Sequence, residues 1–382
     1  MGIEKLQEEI VTEEIGDVMS LVRSVKKEAI AFLLENRYEQ ENLSDQTIFQ
    51  LAPLIENLSE RESIIKDLVN IKQYSSVVHE ETFVNLAEKY KIEMVFDEPL
   101  KLIVTKCYCS LSLETFNKIC VLASVNKEKQ NEVLRGKSTE KTVGFEERDI
   151  KNIETAMGNL VEKGRNYIIN LERVNDDILM TAHFETRTRT FTTIKSGKKI
   201  ETINVKPTTK ASAKYNIKEN RISLRYGTST KIRNAMLESF GQVFFKDNNH
   251  FKGESYQIYK LEDVKKPDFS LVINEELQET VLSATIIEET LKFNLKDNEV
   301  VLVVKSKDAE EALEFLSNEH VQLKSQPRES VVIQLTIKED KKEDKTKTLK
   351  VTISNNSKIN FDPRYTEIVH KCLQSWGIEV GS

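Results

Sequence analysis

The acidic and imidazole side chains that could do chemistry gather around residue 180. Asp176-Asp177 precedes an alternating stretch and His183-Phe184-Glu185 lies on it, so His183 and Glu185 would share one strand face. A carboxylate and an imidazole beside arginines could hold a divalent cation and hydrolyse a phosphodiester. Nothing else completes such a site. Pro267-Asp268 lacks a Glu-x-Lys on the following strand, and Glu339-Asp340-Lys341 falls in a charged loop. Gly136-Lys137-Ser138 matches the end of a phosphate-binding loop, but Asn131 stands where that loop needs its first glycine, after a segment that reads as helix. Cys107, Cys109, Cys120 and Cys372 lack metal-ligand spacing and the five histidines are scattered, so no metal, cofactor or catalytic residue is assigned. The thiols read as small buried hydrophobes.

Binding has a stronger signal than catalysis. Between Thr186 and Arg233 there are thirteen basic residues against two acidic ones, Glu201 and Glu219, in a chain whose net charge is −6. The same window reads as β structure. Thr186 to Ile194 alternates and is rich in β-branched residues, Ser196-Gly197 signals a turn, and Lys198 to Val205 returns as a second strand. Arg187, Arg189 and Phe191 would line one face, cations beside an aromatic, which suits a phosphate backbone. The candidate nucleic-acid contacts are Arg187, Arg189, Lys195, Lys198, Lys199, Arg221, Arg225, Lys231 and Arg233. The competing reading is a solvated hairpin neutralised by the chain's own acidic remainder.

The elements that would carry this window divide in two. Residues 3–36 read as one helix, with Leu6, Ile10, Ile15, Met19, Val22, Val25, Ile30 and Leu33 at roughly helical spacing. Asn42 to Asp45 caps a second helix holding Ile48, Leu51, Leu54 and Ile55, with Pro53 inside it, and a third starts near Ser59. A helix within 76–90 is followed by two short apolar runs, 93–96 and 100–104, around Asp97-Glu98-Pro99. That order is the one a winged helix has, but the acidic helix would repel DNA, so either the element serves protein contacts or no winged helix forms. A helix pair over 111–134, a polar linker over 135–147 and a helix over 147–163 precede the strands that begin at Tyr167.

Two segments of the second half align at an offset of 136. Lys214 to Asn220 sits over Lys350 to Asn356, and Thr230 to Gly241 over Thr366 to Gly377. Each reads as strand, turn, strand, helix, closed by Gly241 or Gly377 as a left-handed cap. The loop starting at Lys338 reads as a solvated turn between strands ending at Ile337 and starting at Thr348.

The expected fold class is therefore α+β. A helical region over 1–147 carries the candidate winged-helix or helix-turn-helix element. An antiparallel sheet region over 148–382, with helices on one side, carries the basic hairpin and a strand-strand-helix module repeated over 214–241 and 350–377. The expected function is non-catalytic nucleic-acid binding of low sequence specificity, with DNA favoured over RNA. The alternatives are a protein-interaction adaptor, with a protein partner for the acidic N-terminal half, and a metal-dependent nuclease using Asp176, Asp177, His183 and Glu185. No apolar run is long enough for a membrane span, and Met1 to Ile10 has neither a signal-peptide core nor a myristoylation pattern, so a cytoplasmic location is expected.

Overall fold

The computed structural model describes residues 18–380 apart from 96, 129–131, 139–143, 159–165, 196–198, 228, 253–257, 267–268, 296–297, 318–321, 339–345 and 356. Among the described residues there are eleven α-helices and three antiparallel sheets, an α+β fold. The chain divides by its contacts into two compact units, 1–127 and 128–382, ahead of the 147/148 boundary expected from the change from helices to strands.

The first unit is helical: α1 (Val18–Val25), α2 (Lys27–Arg37), α3 (Ile48–Asn57), α4 (Arg61–Val77), α5 (Glu80–Lys89), α6 (Leu100–Ser110) and α7 (Leu113–Ala123). The single helix expected over 3–36 is interrupted at Lys26, whose φ is 85°, while residues 3–17 lie outside the described part. Thr47 and Gln50 form a capping box that starts α3, and the Ser112 hydroxyl caps α7 through the Thr115 N–H. The winged-helix ribbon does not form. Leu100 to Val104, expected as its second strand, is the first half of α6, where Ile103, Val104 and Cys107 are buried at helical spacing. Leu100 to Val104 alone fits a strand as well as a helix, and the helical period becomes distinct only when Cys107 is included. Inside this unit Asp67 is buried and joins three helices, accepting from the Tyr38 (2.8 Å) and Tyr108 (2.7 Å) hydroxyls and pairing with Arg37. These three donors satisfy carboxylate oxygens that are shielded from water. Cys107 and Cys120 are buried, and burial pushes the Cys107 thiol up to about 12, so these sulfurs pack rather than react.

The second unit holds two five-stranded sheets. The first has the order β1-β7-β6-β3-β2, from β1 (Glu132–Arg135), β2 (Tyr167–Val174), β3 (Asp177–Glu185), β6 (Thr208–Asn216) and β7 (Arg221–Arg225). The ribbon β4 (Arg189–Lys195) and β5 (Lys199–Val205) is inserted between β3 and β6 as a sheet of its own. Alternation places Ile178, Met180 and Ala182 of β3, Ala211, Ala213 and Tyr215 of β6, and Ile222 and Leu224 of β7 in one core. The helices α8 (Glu147–Gly158) and α9 (Thr230–Phe240) supply its other wall, through Ile153, Met157, Met236, Leu237 and Phe240. The second sheet has the order β12-β11-β10-β8-β9, from β8 (Val281–Leu295), β9 (Asn298–Lys305), β10 (Arg328–Lys338), β11 (Thr346–Ser354) and β12 (Lys358–Asn360). Its core joins Val331, Ile333, Leu335 and Ile337 of β10 to Val369, Leu373 and Trp376 at α11 (Thr366–Ser375). A short helix, α10 (Ala309–Leu316), follows β9 and covers a satellite cluster around Leu291, Val304 and Leu313.

The repeat read in the sequence is present as architecture. β6, β7 and α9 follow one another as β11, β12 and α11 do, and both sets add to their sheets in the same neighbour order, β3-β6-β7 and β10-β11-β12. Gly377 has φ +70° and makes the left-handed cap expected of it. Gly241 does not: it stays right-handed and the chain continues into a π turn, Gly241–Phe245, with Lys246 (φ 61°) as the left-handed residue. Glycine is still required there, because a Cβ would collide with the Asp247 carbonyl oxygen.

The sequence stretch 132–137 is neither helix nor linker. β1 pairs antiparallel with β7 and sends Val133 into one core and Leu134 into the other, so it stitches the two sheets. Beyond it, the Gly136 N–H donates to the Asn220 carbonyl (2.8 Å) and the Lys137 N–H to that of His250 (3.0 Å). Asn220, in the left-handed β6–β7 turn (φ 48°), accepts from the Tyr215 hydroxyl (3.1 Å) and from His250 Nε2 (3.2 Å). His250 stacks on Phe245 at 3.6 Å between ring centroids. Burial, helped by the charge of Lys137 and opposed by Asp247, lowers the His250 imidazole from 6.5 to about 4. The unfolded chain therefore takes up this proton first as pH falls, and stability drops from about pH 6.5 down to about 4, where the slope ends. The urea midpoint followed by circular dichroism should fall across that window, and His250→Gln should flatten the fall.

Candidate nucleic-acid interface

Where the thirteen cations of the 186–233 window go decides what this surface can bind. The ribbon strands pair in the register Arg189↔Val205, Phe191↔Ile203 and Lys195↔Lys199, with seven residues each. At a rise of about 3.3 Å per residue such a ribbon is roughly 20 Å long. The side chains of residues 187–192 are all exposed, with Phe191 at 48%, and on the return strand Ile200 is at 73%. Arg189 and Phe191 share a face, while Arg187 lies just ahead of the strand. Arg187 and Arg189 make no ion pair among the described residues. Lys195 and Lys199 are opposite one another at the turn end; their side chains, and all of Lys198, fall outside the described part.

Most of the other cations are neutralised within the chain. Lys206 faces Glu185 (3.6 Å), Lys214 faces Asp177 (3.0 Å), Lys218 faces Asp176 (2.7 Å), and Lys210 and Arg225 share Glu128. Arg233 is clamped on buried Glu132, which also accepts from the Tyr226 hydroxyl (3.0 Å), and so ties α9 to β1. Arg221 lies in a buried polar knot. It donates to Glu379 (2.9 Å), whose other oxygen is 2.6 Å from His370 Nδ1, with the Tyr259 hydroxyl at 3.5 Å. Among the nine expected contacts, Arg221 and Arg233 are therefore structural, Arg225 is half-exposed beside a carboxylate, and Lys231 is exposed at the start of α9. The broad basic patch contracts to the ribbon.

The hydrolytic site also comes apart. Asp177 and His183 are six residues apart on β3, about 20 Å along an extended strand. Asp176, Asp177 and Glu185 are each held by a lysine. The His183 Nε2 is buried without a hydrogen bond; burial and the neighbouring Lys210 lower its imidazole, against the pull of Glu128. Among the described residues no group of three or more His, Cys, Asp or Glu is placed to hold a metal ion. Pro267-Asp268 and Glu339 to Lys341 lie outside the described residues. No helix among the described residues is long and apolar enough to cross a membrane. Comparison with known protein families finds no matching family model, and comparison with curated proteins finds no match.

Proposed function

We propose that this protein binds duplex DNA through the β4–β5 ribbon, by phosphate contact and with little base preference. The observation that carries the reading is a two-stranded ribbon whose Arg187, Arg189 and Phe191 are exposed while the cations around it are paired. From 187 to 206 the sequence has six basic residues against one acidic, so the ribbon attracts polyanions although the chain is acidic overall. A major groove about 12 Å wide admits a two-stranded ribbon, whereas the deep, narrow major groove of A-form RNA does not. Phe191 gives the face an apolar contact, and Arg189 beside it reaches a phosphate.

Fluorescence anisotropy with a short labelled duplex of arbitrary sequence, titrated at several salt concentrations, tests this. Each phosphate contact contributes about 0.9 to the slope of log K against log salt, so a ribbon making roughly five contacts predicts a slope of about −4.5. Arg187→Ala with Arg189→Ala should reduce that slope by about 2. Binding that ignores salt, or no binding at low salt, would return the ribbon to a protein-docking role.

A further inference from the structure

The second sheet ends in a strand whose sequence complements itself. β9 is the outermost strand, paired on one side with β8, and among the described residues nothing pairs with its other edge. Natural edge strands usually carry inward charges, prolines or bulges that discourage further pairing. The edge of the first sheet, β2, does so with Asn170, Glu172 and Arg173. β9 does not. From Glu299 to Lys305 it reads Glu-Val-Val-Leu-Val-Val-Lys, five aliphatic residues between one acid and one base.

Read backwards, that segment is the same apart from its two charges. In an antiparallel pair centred on Leu302, Val300 meets Val304, Val301 meets Val303, and Glu299 meets Lys305 at both ends. Residues directly opposite in an antiparallel pair point to the same face. The open face of the sheet would then gain two valine pairs flanked by two ion pairs. Val301 and Val303, on that face, are 56% and 46% exposed. Glu299 and Lys305 pair within the chain with Lys292 (2.8 Å) and Glu288 (3.1 Å), but their own side chains are 57% and 67% exposed, so both carboxylate and ammonium stay reachable.

We infer that β9 is a homodimer interface: two copies of this chain pair β9 with β9 about a two-fold axis through Leu302, joining two five-stranded sheets into one of ten strands. The occupant is a second copy rather than an unrelated strand, because the charges at the two ends match only in the antiparallel self-register.

Sedimentation of the full chain at tens of micromolar tests it. The wild type should sediment at twice the chain mass, and Val301→Lys with Val303→Lys should sediment as a monomer with an unchanged circular dichroism spectrum. Glu299→Lys, which sets lysine against Lys305, should weaken the dimer about tenfold. Adding Lys305→Glu should restore it, although that double variant breaks both intrachain pairs. The charge exchange decides the matter even if the valine variant fails to fold. A monomeric wild type would overturn the proposal, as would a dimer that survives the lysine substitutions or ignores the charge exchange.

Discussion

Arg328→Ala is expected to destabilise the second unit by about 3–5 kcal/mol, the usual cost of breaking a fully buried ion pair from one side. Arg328 opens β10 and its guanidinium pairs with Glu289 of β8, with side-chain exposures of 2% and 0%. It also donates to the carbonyls of Leu323 (3.3 Å) and Gln326 (2.5 Å), so it fastens the segment after α10 to the sheet. Alanine would leave a buried carboxylate without its cation and two carbonyls without this donor. The pair as a whole is less valuable than its halves suggest. Arg328→Met with Glu289→Leu should come within about 1–2 kcal/mol of the wild type, because neither buried charge then remains. Urea unfolding can be followed through Trp376, the only tryptophan, which is buried in the adjoining core with its indole N–H on the Val272 carbonyl (2.8 Å). A loss below about 1 kcal/mol for Arg328→Ala would place the pair in the class of surface salt bridges and contradict the burial.

Glu379→Gln is the second large effect, about 2–3 kcal/mol. Burial alone would raise the Glu379 carboxyl. The hydrogen bond with His370 and the charge of Arg221 outweigh it and hold the group below the usual carboxylate range. A depressed carboxylate stabilises the fold above its unfolded pKa and loses that contribution as pH falls through the folded one. The gap between wild type and Glu379→Gln should therefore be widest near neutrality and close in acid. Because Arg221 starts β7 and His370 belongs to α11, this knot joins the two repeated halves of the unit. Glu379→Gln should loosen both cores together, which paired readings of Trp376 fluorescence and far-ultraviolet circular dichroism would register. A gap that stays constant from neutral to acid pH would deny the ionised role.

What the sequence revealed follows how local each signal is. The ribbon was legible because the Thr-rich alternation and the Ser196-Gly197 turn are complete within about twenty residues. The repeat was legible because alternation in 214–226 and 350–361 is followed each time by a periodic helix and a glycine. β1 was not: four residues make a strand only through pairing with Leu224 to Arg221 of β7. α6 is ambiguous in the sequence because Leu-Lys-Leu-Ile-Val satisfies both periods until Cys107 is included. The fate of the cations was the least legible feature. Glu128, Glu132 and Glu379, which neutralise Lys210, Arg233 and Arg221, are 82, 101 and 158 residues away in the chain. Charge counting registers an excess but not which acid the fold brings across a sheet.

Excision of the ribbon tests the nucleic-acid reading most directly. Its ends already meet: the Thr186 N–H donates to the Pro207 carbonyl (2.8 Å), and so does the Thr186 hydroxyl (2.7 Å). Residues 187–206 can therefore be replaced by a Gly-Ser turn without moving β3 or β6. The shortened protein should keep its circular dichroism and its Trp376 fluorescence, while its affinity for duplex DNA at low salt falls by about a hundredfold or more and the salt dependence flattens. Undiminished, salt-sensitive binding by the folded, ribbonless protein would contradict the account.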